Sequence, residues 1–275
     1  MPALNSISVD RLARLIGTPS CPALIDLRAG IGDDRLIPGS IPRRAAEVSE
    51  WGGGLAGRAA VIIDEDGGPL SEGVAAWLRS DGIAAEILGG GHAAWRNAGQ
   101  PLVRTGCLPS RQVDGRTLWV TRARPKVDRI ACPWLIRRFV DPGARFLFVV
   151  PGEVMAVAER LDATPFDFQH DAVFWSHRGE RCTFDVMVEE FGLGALPALA
   201  YLAEIVRGAD TGRPDLVPEA AGLVALSLGL SRLHADDDRQ LEAGLPIYDA
   251  LYRWCRDARA ETHDWDAHKP REARP

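Results

Sequence analysis

Residues 61–73 read VIIDEDGGPLSEG. The apolar run 61–63 is typical of a buried strand, and the acids and glycines after it are typical of a tight loop. Residues 71–82, SEGVAAWLRSDG, then repeat apolar side chains at helical spacing and stop at a glycine. This strand–loop–helix order predicts an α/β unit, with the loop at the carboxyl end of its strand, where parallel sheets place their sites.

The sequence on either side of this stretch repeats the same alternation. Strand patterns occur at 22–28 (PALIDLR), 59–64 (AAVIID) and 84–88 (AAEIL), and a glycine-rich turn with a short helix follows at 89–99 (GGGHAAWRNAG). Strands that alternate with helices predict a parallel sheet with helices on both faces. We expect this first unit to span residues 1–104.

A polar segment without apolar periodicity, 105–116, is predicted to be a linker to a second unit, 117–275. That unit opens with strand, helix and strand patterns at 117–123, 131–140 and 145–150. From Cys182 onward almost every apolar stretch has helical spacing, which predicts a mainly helical α+β fold. The last fourteen residues are polar, and we expect them to be frayed.

Composition excludes several classes of protein. The chain has 275 residues, 46% of them apolar, and a net charge of −6, which indicates a globular protein and argues against a nucleic-acid partner. Five scattered cysteines suggest no disulfide framework. There is no signal-peptide core, and the longest apolar stretch, near 220–230, is far shorter than a spanning helix. We therefore expect a cytoplasmic protein that does not insert into membranes.

The first unit resembles the rhodanese domain over roughly residues 6–103. The matching pieces, in the family's order, are LIDLR (24–28), IPGSIPRRAAE (37–47), VIIDEDGGPLSEGVAAWLRSDGI (61–83) and LGGGHAAWRNAGQPL (88–102). The resemblance implies a loop of backbone N–H groups around a persulfide-carrying cysteine. Counting back from the helix places Glu65 at that position, so we expect no sulfurtransferase activity.

The acids of this loop allow three interpretations. The Glu65 carboxylate can occupy the ring of N–H groups as a permanent internal anion, or the acids can form a solvated rim. A cation site of Asp64, Glu65 and Asp66 is the weakest interpretation, because adjacent acids at a strand end point in different directions.

A second group of candidates lies in VTRARPKVDRIACPWLIRRFV (120–140), a basic stretch in an acidic protein. Pro133 suits the first turn of a helix, which would make Cys132 the N-cap, with its thiol near the positive helix end. Arginines at a helix N-terminus suit an oxyanion. The predicted oxyanion site comprises Arg122, Arg124, Lys126, Asp128, Arg129 and Cys132. The alternative is that Cys132 packs as a small apolar residue and that the helix arginines are solvated.

A third group contains possible metal ligands near predicted helix ends: His177, Glu180, Cys182, Asp210 and His234. Helix ends can converge in a bundle, and His with carboxylates suits Fe, Mn or Zn. The favoured trio is His177, Asp210 and His234. Each residue also has an ordinary structural role open to it, as a helix cap, a core residue or a charge partner at a helix end.

The second unit resembles the C-terminal domain of chromate-resistance proteins of the ChrB type, over roughly residues 117–265. The matching stretches are 120–149, 177–193, 203–212, 218–238 and 247–265. The resemblance implies a role in bacterial chromate resistance, associated with a chromate efflux system. In better-known members a different N-terminal domain, thought to bind DNA and to regulate transcription in response to chromate, takes the place of the rhodanese-like unit.

Three functions follow from these patterns. The leading hypothesis is an accessory protein of chromate resistance that binds a small oxyanion, either chromate, sulfate or phosphate, at the basic junction. The first alternative is a metal-dependent redox or hydrolytic enzyme that uses His177, Asp210 and His234. The second is a chromate-responsive transcriptional regulator, which the net charge of −6 disfavours.

Overall fold

The computed structural model describes residues 5–28 and 35–261. The first unit contains a five-stranded sheet in the order β1-β5-β4-β2-β3, and every neighbouring pair is parallel. Its strands are β1 (Ser6–Ile7), β2 (Ala23–Asp26), β3 (Ser40–Pro42), β4 (Ala60–Ile63) and β5 (Ala85–Leu88). This confirms the parallel α/β unit and the three strands expected from the sequence.

Helices cover both faces of this sheet. They are α1 (Val9–Leu15), α2 (Val48–Trp51), α3 (Pro69–Ser80) and α4 (Gly91–Asn97), with 3-10 turns at Ala45–Glu47 and Gly52–Leu55. Side chains alternate along β4, so Val61 packs in the cluster of Leu12 and Trp95, while Ile62 packs in the cluster of Leu78. The expected helices on both faces are confirmed.

The second unit opens with a small parallel sheet in the order β7-β6-β8. Its strands are β6 (Leu118–Arg122), β7 (Arg145–Val149) and β8 (Thr164–Pro165). Helix α6 (Val154–Leu161), which follows a 3-10 turn at Pro151–Glu153, packs its apolar side on Val120. The carboxyl end of β6 therefore leads directly toward the helices that follow.

The rest of the second unit is helical, as the sequence predicts. The helices are α5 (Asp128–Leu135), a π-helical turn at Ile136–Val140, α7 (Thr183–Glu190), α8 (Pro197–Asp210), α9 (Glu219–Leu233) and α10 (Asp237–Asp257). One boundary prediction is wrong: α5 begins at Asp128, and Pro133 lies inside it. Cys132 is therefore an interior helix residue and not an N-cap.

The two units share apolar contacts. A side chain at Gly17 in the first unit would meet the rings of Phe139 and Tyr252 in the second, and the Gly39 N–H donates to the carbonyl of Phe139. One buried cluster contains residues from both units. The division at 105–116 stays a prediction, and if it is correct the units are packed against each other.

Two expectations concern the limits of the fold. The frayed C-terminus predicted for the last fourteen residues lies outside the described residues. Among the described helices, none combines the length and apolarity that crossing a bilayer requires.

Candidate functional site

A pocket of about 310 Å³ opens where β6 ends. It is lined by Arg122, Arg129, Asp167, Phe168, Gln169, Ser176, His177 and Asp210. Arg122 is the last residue of β6, Asp167 follows β8, and Asp210 is the last residue of α8. The pocket thus lies at the carboxyl ends of parallel strands, beside the ends of helices.

Three carboxylates surround one imidazole nitrogen in this pocket. The Nε2 atom of His177 is 3.2 Å from Oδ2 of Asp210, 3.4 Å from Oδ1 of Asp167 and 3.6 Å from Oδ2 of Asp128. Ligand atoms of Asp128, His177 and Asp210 all lie within 4.8 Å of one another. Such a cluster of oxygen and nitrogen donors can hold one metal ion.

Asp128 lies deepest in the cluster. It is the first residue of α5 and is fully buried, and its Oδ2 accepts hydrogen bonds from the N–H groups of Thr183 (2.6 Å) and Phe184 (3.3 Å) at the start of α7. Its Oδ1 has no hydrogen-bond partner of good geometry in the described part of the chain. The nearby Cys182 thiol still favours the charged form of Asp128, but it leaves that oxygen without a well-formed bond.

The electrostatics of the cluster are dominated by the burial of Asp128 and by the closeness of three carboxylates to one imidazole. Burial raises the pKa of Asp128 well above its usual range, and the charges of Asp210 and Asp167 add to this. Hydrogen bonds to Asp167 and Asp210 raise the pKa of His177 to about 10, against the effect of burial. The protonated imidazole of His177 thus balances part of the negative charge of the three carboxylates.

Asp167 differs from Asp128 because it has cationic partners. Burial acts to raise its pKa, but the hydrogen bond from His177 and the charges of Arg129 and Arg122 outweigh burial, so the pKa is lowered. The Nε of Arg129 lies 3.2 Å and the Nη2 of Arg122 lies 3.3 Å from Oδ2 of Asp167. Asp167 therefore remains an anion that is held by two arginines.

The predicted oxyanion site is only partly assembled. Most donors of the Arg129 guanidinium already have partners, because its Nη1 also donates to the carbonyls of Arg122 and Ala123. Arg122 is 39% exposed in its side chain and lines the pocket, and its buried Nε has no partner among the described residues. Asp128 belongs to the carboxylate cluster and makes the pocket less suited to an anion.

Two other predicted members lie away from the pocket. The Arg124 guanidinium donates to the carbonyls of Ser231, His234 and Ala235, and thereby caps the C-terminal end of α9. Lys126 is exposed and does not line the pocket. The basic stretch that is continuous in sequence is therefore divided in space.

The prediction of Cys132 as an anion-binding thiol is wrong. Its side chain is fully buried inside α5, and burial, with the neighbouring carboxylates, raises its pKa well above the usual range. A thiol in this environment stays protonated. The alternative interpretation, in which Cys132 packs as a small apolar residue, is confirmed.

Of the five predicted metal ligands, His177 and Asp210 come together. Glu180 is exposed and lies 3.5 Å from Arg213, and His234 follows α9, where its carbonyl accepts from Arg124. Cys182 is the N-cap of α7, and burial raises the pKa of its thiol far above the usual range. These three predictions do not fit the cluster: Glu180 and His234 have partners elsewhere, and the Cys182 thiol, although it lies near Asp128, stays protonated.

Sequence reasoning missed Asp128 and Asp167 as members of this cluster. The sequence pattern groups Asp128 with the arginines beside it and does not single out Asp167. The available signal was position, since each acid follows a strand of the same parallel sheet: Asp128 after β6 and Asp167 after β8. Residues after parallel strands meet at one edge of the sheet.

The acidic loop after β4 is built differently from the prediction. The carboxylate of Asp64, and not of Glu65, accepts the backbone N–H groups of Gly67 (2.6 Å), Gly68 (3.2 Å) and Ser71 (3.0 Å). Asp64 is buried and its carboxylate oxygens are saturated by these donors. A carboxylate does act as the internal anion of the loop, as one interpretation expected, but it belongs to Asp64 and not to Glu65.

Glu65 instead forms ion pairs at the rim of the loop. It lies 3.6 Å from Arg28 and 3.4 Å from Arg96. The loop is also closed tightly, since a Cβ at Gly91 would lie 2.6 Å from the backbone of Asp64 and Asp66. A cation site of the three adjacent acids is not supported, because Asp64 faces N–H donors and Glu65 faces arginines.

Comparison with known proteins places this chain in a family. Residues 119–255 match the family described as "ChrB, C-terminal domain". Protein ChrB of Cupriavidus metallidurans (strain ATCC 43123 / DSM 2839 / NBRC 102507 / CH34) is 32% identical over 229 residues, which cover 76% of this chain and 68% of that protein.

Solved structures align with part of the chain. A rhodanese-related protein from Thermoplasma volcanium is 22% identical and covers 36% of this chain and 97% of its own, with a TM-score of 0.33. SSP1007 from Staphylococcus saprophyticus is 23% identical and covers 37% and 100%, with a TM-score of 0.32. On the domain match and the curated relative together, the chain belongs to the ChrB family.

Proposed function

We propose that this protein acts in bacterial chromate resistance as a metal-dependent member of the ChrB family. The ion, either Fe, Mn or Zn, is held by Asp128, His177 and Asp210. The observation that carries the proposal is the convergence of these three side chains within 4.8 Å, at the edge of an open pocket. Chromate resistance is what the family is associated with, and the metal is our proposal for how this chain contributes.

The charges of the pocket support a cation. Three carboxylates that each lie within 3.6 Å of the His177 Nε2 atom repel one another in a medium of low dielectric constant, and a divalent ion lowers that repulsion. The fully buried Asp128 also has an oxygen, Oδ1, without a well-formed hydrogen bond. A bound metal ion would take the place of the missing hydrogen-bond donor. Oxygen and nitrogen donors without a thiolate suit the borderline ions named above.

The pocket also leaves room for a ligand from solvent. The side chain of His177 is 35% exposed and that of Asp210 is 19% exposed, on the open side of the cluster. Three protein ligands and an open position are typical of metal sites that do chemistry. A redox or a hydrolytic reaction at this position is therefore part of the proposal.

Elemental analysis of protein purified without chelator tests the metal. We expect close to one Fe, Mn or Zn per chain, and loss of that metal in His177→Ala and in Asp210→Asn. His234→Ala is the matched control, since it removes a histidine that lies at the end of α9, outside the cluster. Metal retained in both cluster variants, or lost equally in the control, would contradict the proposal.

A second candidate function is oxyanion binding at Arg122. The specific observation is that its guanidinium is partly exposed in the pocket and that its Nε has no partner among the described residues. We propose that chromate, or sulfate or phosphate, binds there beside the metal. This narrows the predicted six-residue site to one arginine, supported by Arg129 through their shared partner Asp167.

Titration of chromate against sulfate tests this second function. Arg122→Gln should weaken anion binding by about tenfold, since a hydrogen bond to a charged group contributes roughly 1.5–3 kcal/mol. Lys126→Gln is the matched control, because it removes the same charge from an exposed position outside the pocket. Equal weakening by both variants would indicate a general charge effect and no site at Arg122.

We further propose that the first unit has no sulfurtransferase activity. Support comes from the loop after β4, where the Asp64 carboxylate already occupies the N–H groups that would stabilise a thiolate. Incubation with thiosulfate and cyanide should give no more thiocyanate than a variant that lacks all five cysteines. Association with a chromate efflux system and a role in transcription remain expectations from the family, and the latter is disfavoured by the net charge.

A further inference from the structure

Another cleft lies between the first unit and the residues that flank the start of β6 and the start of β7. Its volume is about 210 Å³, which is room for about seven water molecules or for one small ligand. The first unit contributes Ile25 of β2, Ile41 of β3 and Trp51 of α2 to its walls, and Pro142 lies on the other side. The cleft shares no described lining residue with the pocket at the end of β6, so it is a separate place where a ligand can bind.

Three arginines from separate parts of the chain line this cleft. Arg43 follows β3, Arg58 precedes β4 and Arg116 precedes β6. Within the described ranges 5–28 and 35–261, neither Arg43 nor Arg58 forms an ion pair. The side chain of Arg43 donates only to the carbonyl of its neighbour Pro42, at 3.3 Å. Two guanidinium groups of the cleft are therefore without an anionic partner in the described part of the protein.

The buried acid of the cleft, Asp141, is satisfied by its own neighbours. Its Oδ2 accepts the N–H and the hydroxyl of Thr117 at 2.7 and 2.8 Å, and its Oδ1 accepts the N–H of Gly143 at 3.0 Å. The Nη1 of Arg111, which does not line the cleft, lies 3.4 Å from the same carboxylate. Asp141 therefore already has a cation and a full set of donors.

The second acid of the cleft, Asp114, also has its own partners. Its Oδ2 lies 3.1 Å from Arg145, outside the cleft, and 3.9 Å from Arg116. Both acids are thus paired with arginines other than Arg43 and Arg58. In a protein with a net charge of −6, this cleft holds two positive charges that its own acids do not balance.

Two glycines leave room for the arginines of the cleft. Gly115 has a φ of +80°, and a Cβ added to it would lie 2.8 Å from Nη1 of Arg43. A Cβ at Gly143 would lie 3.2 Å from Cγ of Arg116. The Arg43 guanidinium of the first unit therefore lies directly against the turn at Gly115, where a larger residue would displace it.

We propose that this cleft binds a tetrahedral dianion, a phosphate or sulfate group, between Arg43 and Arg58, with Arg116 at the rim. Guanidinium groups present parallel N–H donors that match the oxygens of such an anion, and two unbalanced positive charges match its charge of −2. The shared chemistry is that of a free anion or of the charged end of a phosphate ester. Because Arg43 and Arg58 precede residue 105 and Arg116 follows it, the bound anion contacts both sides of the cleft. This inference is independent of the metal site and of the oxyanion site at Arg122.

Calorimetric titration of inorganic phosphate into the full-length protein, at constant ionic strength, tests the proposal. The protein carries Arg122→Gln throughout, so that the other proposed anion site does not contribute. We expect one phosphate per chain, and affinity about tenfold weaker when Arg58→Gln is added, since a hydrogen bond to a charged group is lost. Arg44→Gln is the matched control, because Arg44 is 76% exposed in its side chain, pairs with Glu47 and does not line the cleft.

Arg43→Gln should weaken phosphate binding by a similar factor. Since Arg43 also packs on the turn at Gly115, the exposed Arg58 is the cleaner test, because its replacement breaks no hydrogen bond or ion pair among the described residues. A parallel titration with phenyl phosphate identifies the source of the anion. Tighter binding of phosphate supports a free anion, and tighter binding of the ester supports the end group of a larger molecule. Absence of binding for both probes, or equal weakening by Arg44→Gln and Arg58→Gln, would overturn the proposal.

Discussion

Two loops of this protein end a parallel strand with acidic residues, and they treat those acids in opposite ways. After β4, the Asp64 carboxylate accepts three backbone N–H groups, and Glu65 faces two arginines. After β6 and β8, the carboxylates of Asp128 and Asp167 meet that of Asp210 around one histidine. The first cluster is satisfied by the protein, whereas in the second the buried Oδ1 of Asp128 has no well-formed hydrogen bond among the described residues.

Position at the end of a parallel strand therefore does not by itself show whether an acid is satisfied by the protein. Both loops lie at the carboxyl ends of strands, where sites are expected. What differs is the supply of donors, since a glycine-rich turn presents N–H groups to Asp64 and thereby closes the loop. The second loop leaves an open pocket of about 310 Å³. The metal site that we propose lies at this second loop.

Among the predicted changes, removal of the Asp64 carboxylate should lower the free energy of unfolding most. Asp64→Ala leaves the N–H groups of Gly67, Gly68 and Ser71 without their acceptor, and each unsatisfied buried donor costs roughly 1–3 kcal/mol. Because water can replace part of this, we expect a loss of about 3 kcal/mol in the free energy of unfolding, measured by urea denaturation. Asp64→Asn is the control and should lose less, since its amide oxygen still accepts. A loss below about 1 kcal/mol in Asp64→Ala would show that the loop does not depend on this carboxylate.

Metal binding at Asp128, His177 and Asp210 should change the free energy of unfolding by a slightly smaller amount. A metal that binds only the folded state stabilises it by about 2.7 kcal/mol when its free concentration is 100 times Kd. We expect this increase for the wild type on addition of Fe, Mn or Zn, and its absence in Asp210→Asn. Thermal unfolding at several metal concentrations measures it. An equal increase in both proteins would mean that the ion binds elsewhere.

Removal of the Glu65 charge at the rim of the loop after β4 should change the free energy of unfolding least. Glu65 is 36% exposed in its side chain, so its ion pairs with Arg28 and Arg96 are partly screened by solvent. Glu65→Gln should lower the free energy of unfolding by less than about 1 kcal/mol. Measured beside Asp64→Ala, it separates the rim from the interior of the loop. A loss larger than that of Asp64→Ala would reverse the assignment of the two acids.

Much of the fold follows from local patterns. The run at 61–63 and the helix after it appear where their periodicity predicts, because a buried strand and an amphipathic helix each repeat at a fixed spacing. The start of α5 differs from the prediction because Pro133, which favours a first turn, lies in the fold inside a helix whose side chains are mostly buried. Here tertiary packing outweighs the local preference of one residue.

The candidate site was less predictable. The sequence singled out His177 and Asp210, since polar residues at helix ends are few and conspicuous. The sequence does not separate them from Glu180, Cys182 and His234, which are equally suitable metal ligands by residue type. In the fold, Glu180 and His234 lie elsewhere and Cys182 is a buried, protonated thiol. Likewise the sequence could not show that Arg124 caps a distant helix.

Local sequence patterns are sufficient to predict the classes of element, their order and the kinds of donor side chain in the protein. Those properties depend on neighbours within one or two helical turns. The fold, in contrast, is what brings Asp128, Asp167, His177 and Asp210 together and encloses Asp64 in its own loop. The reason is physical: whether a carboxylate is satisfied depends on donors brought within about 3 Å by the fold, and sequence distance does not set that separation.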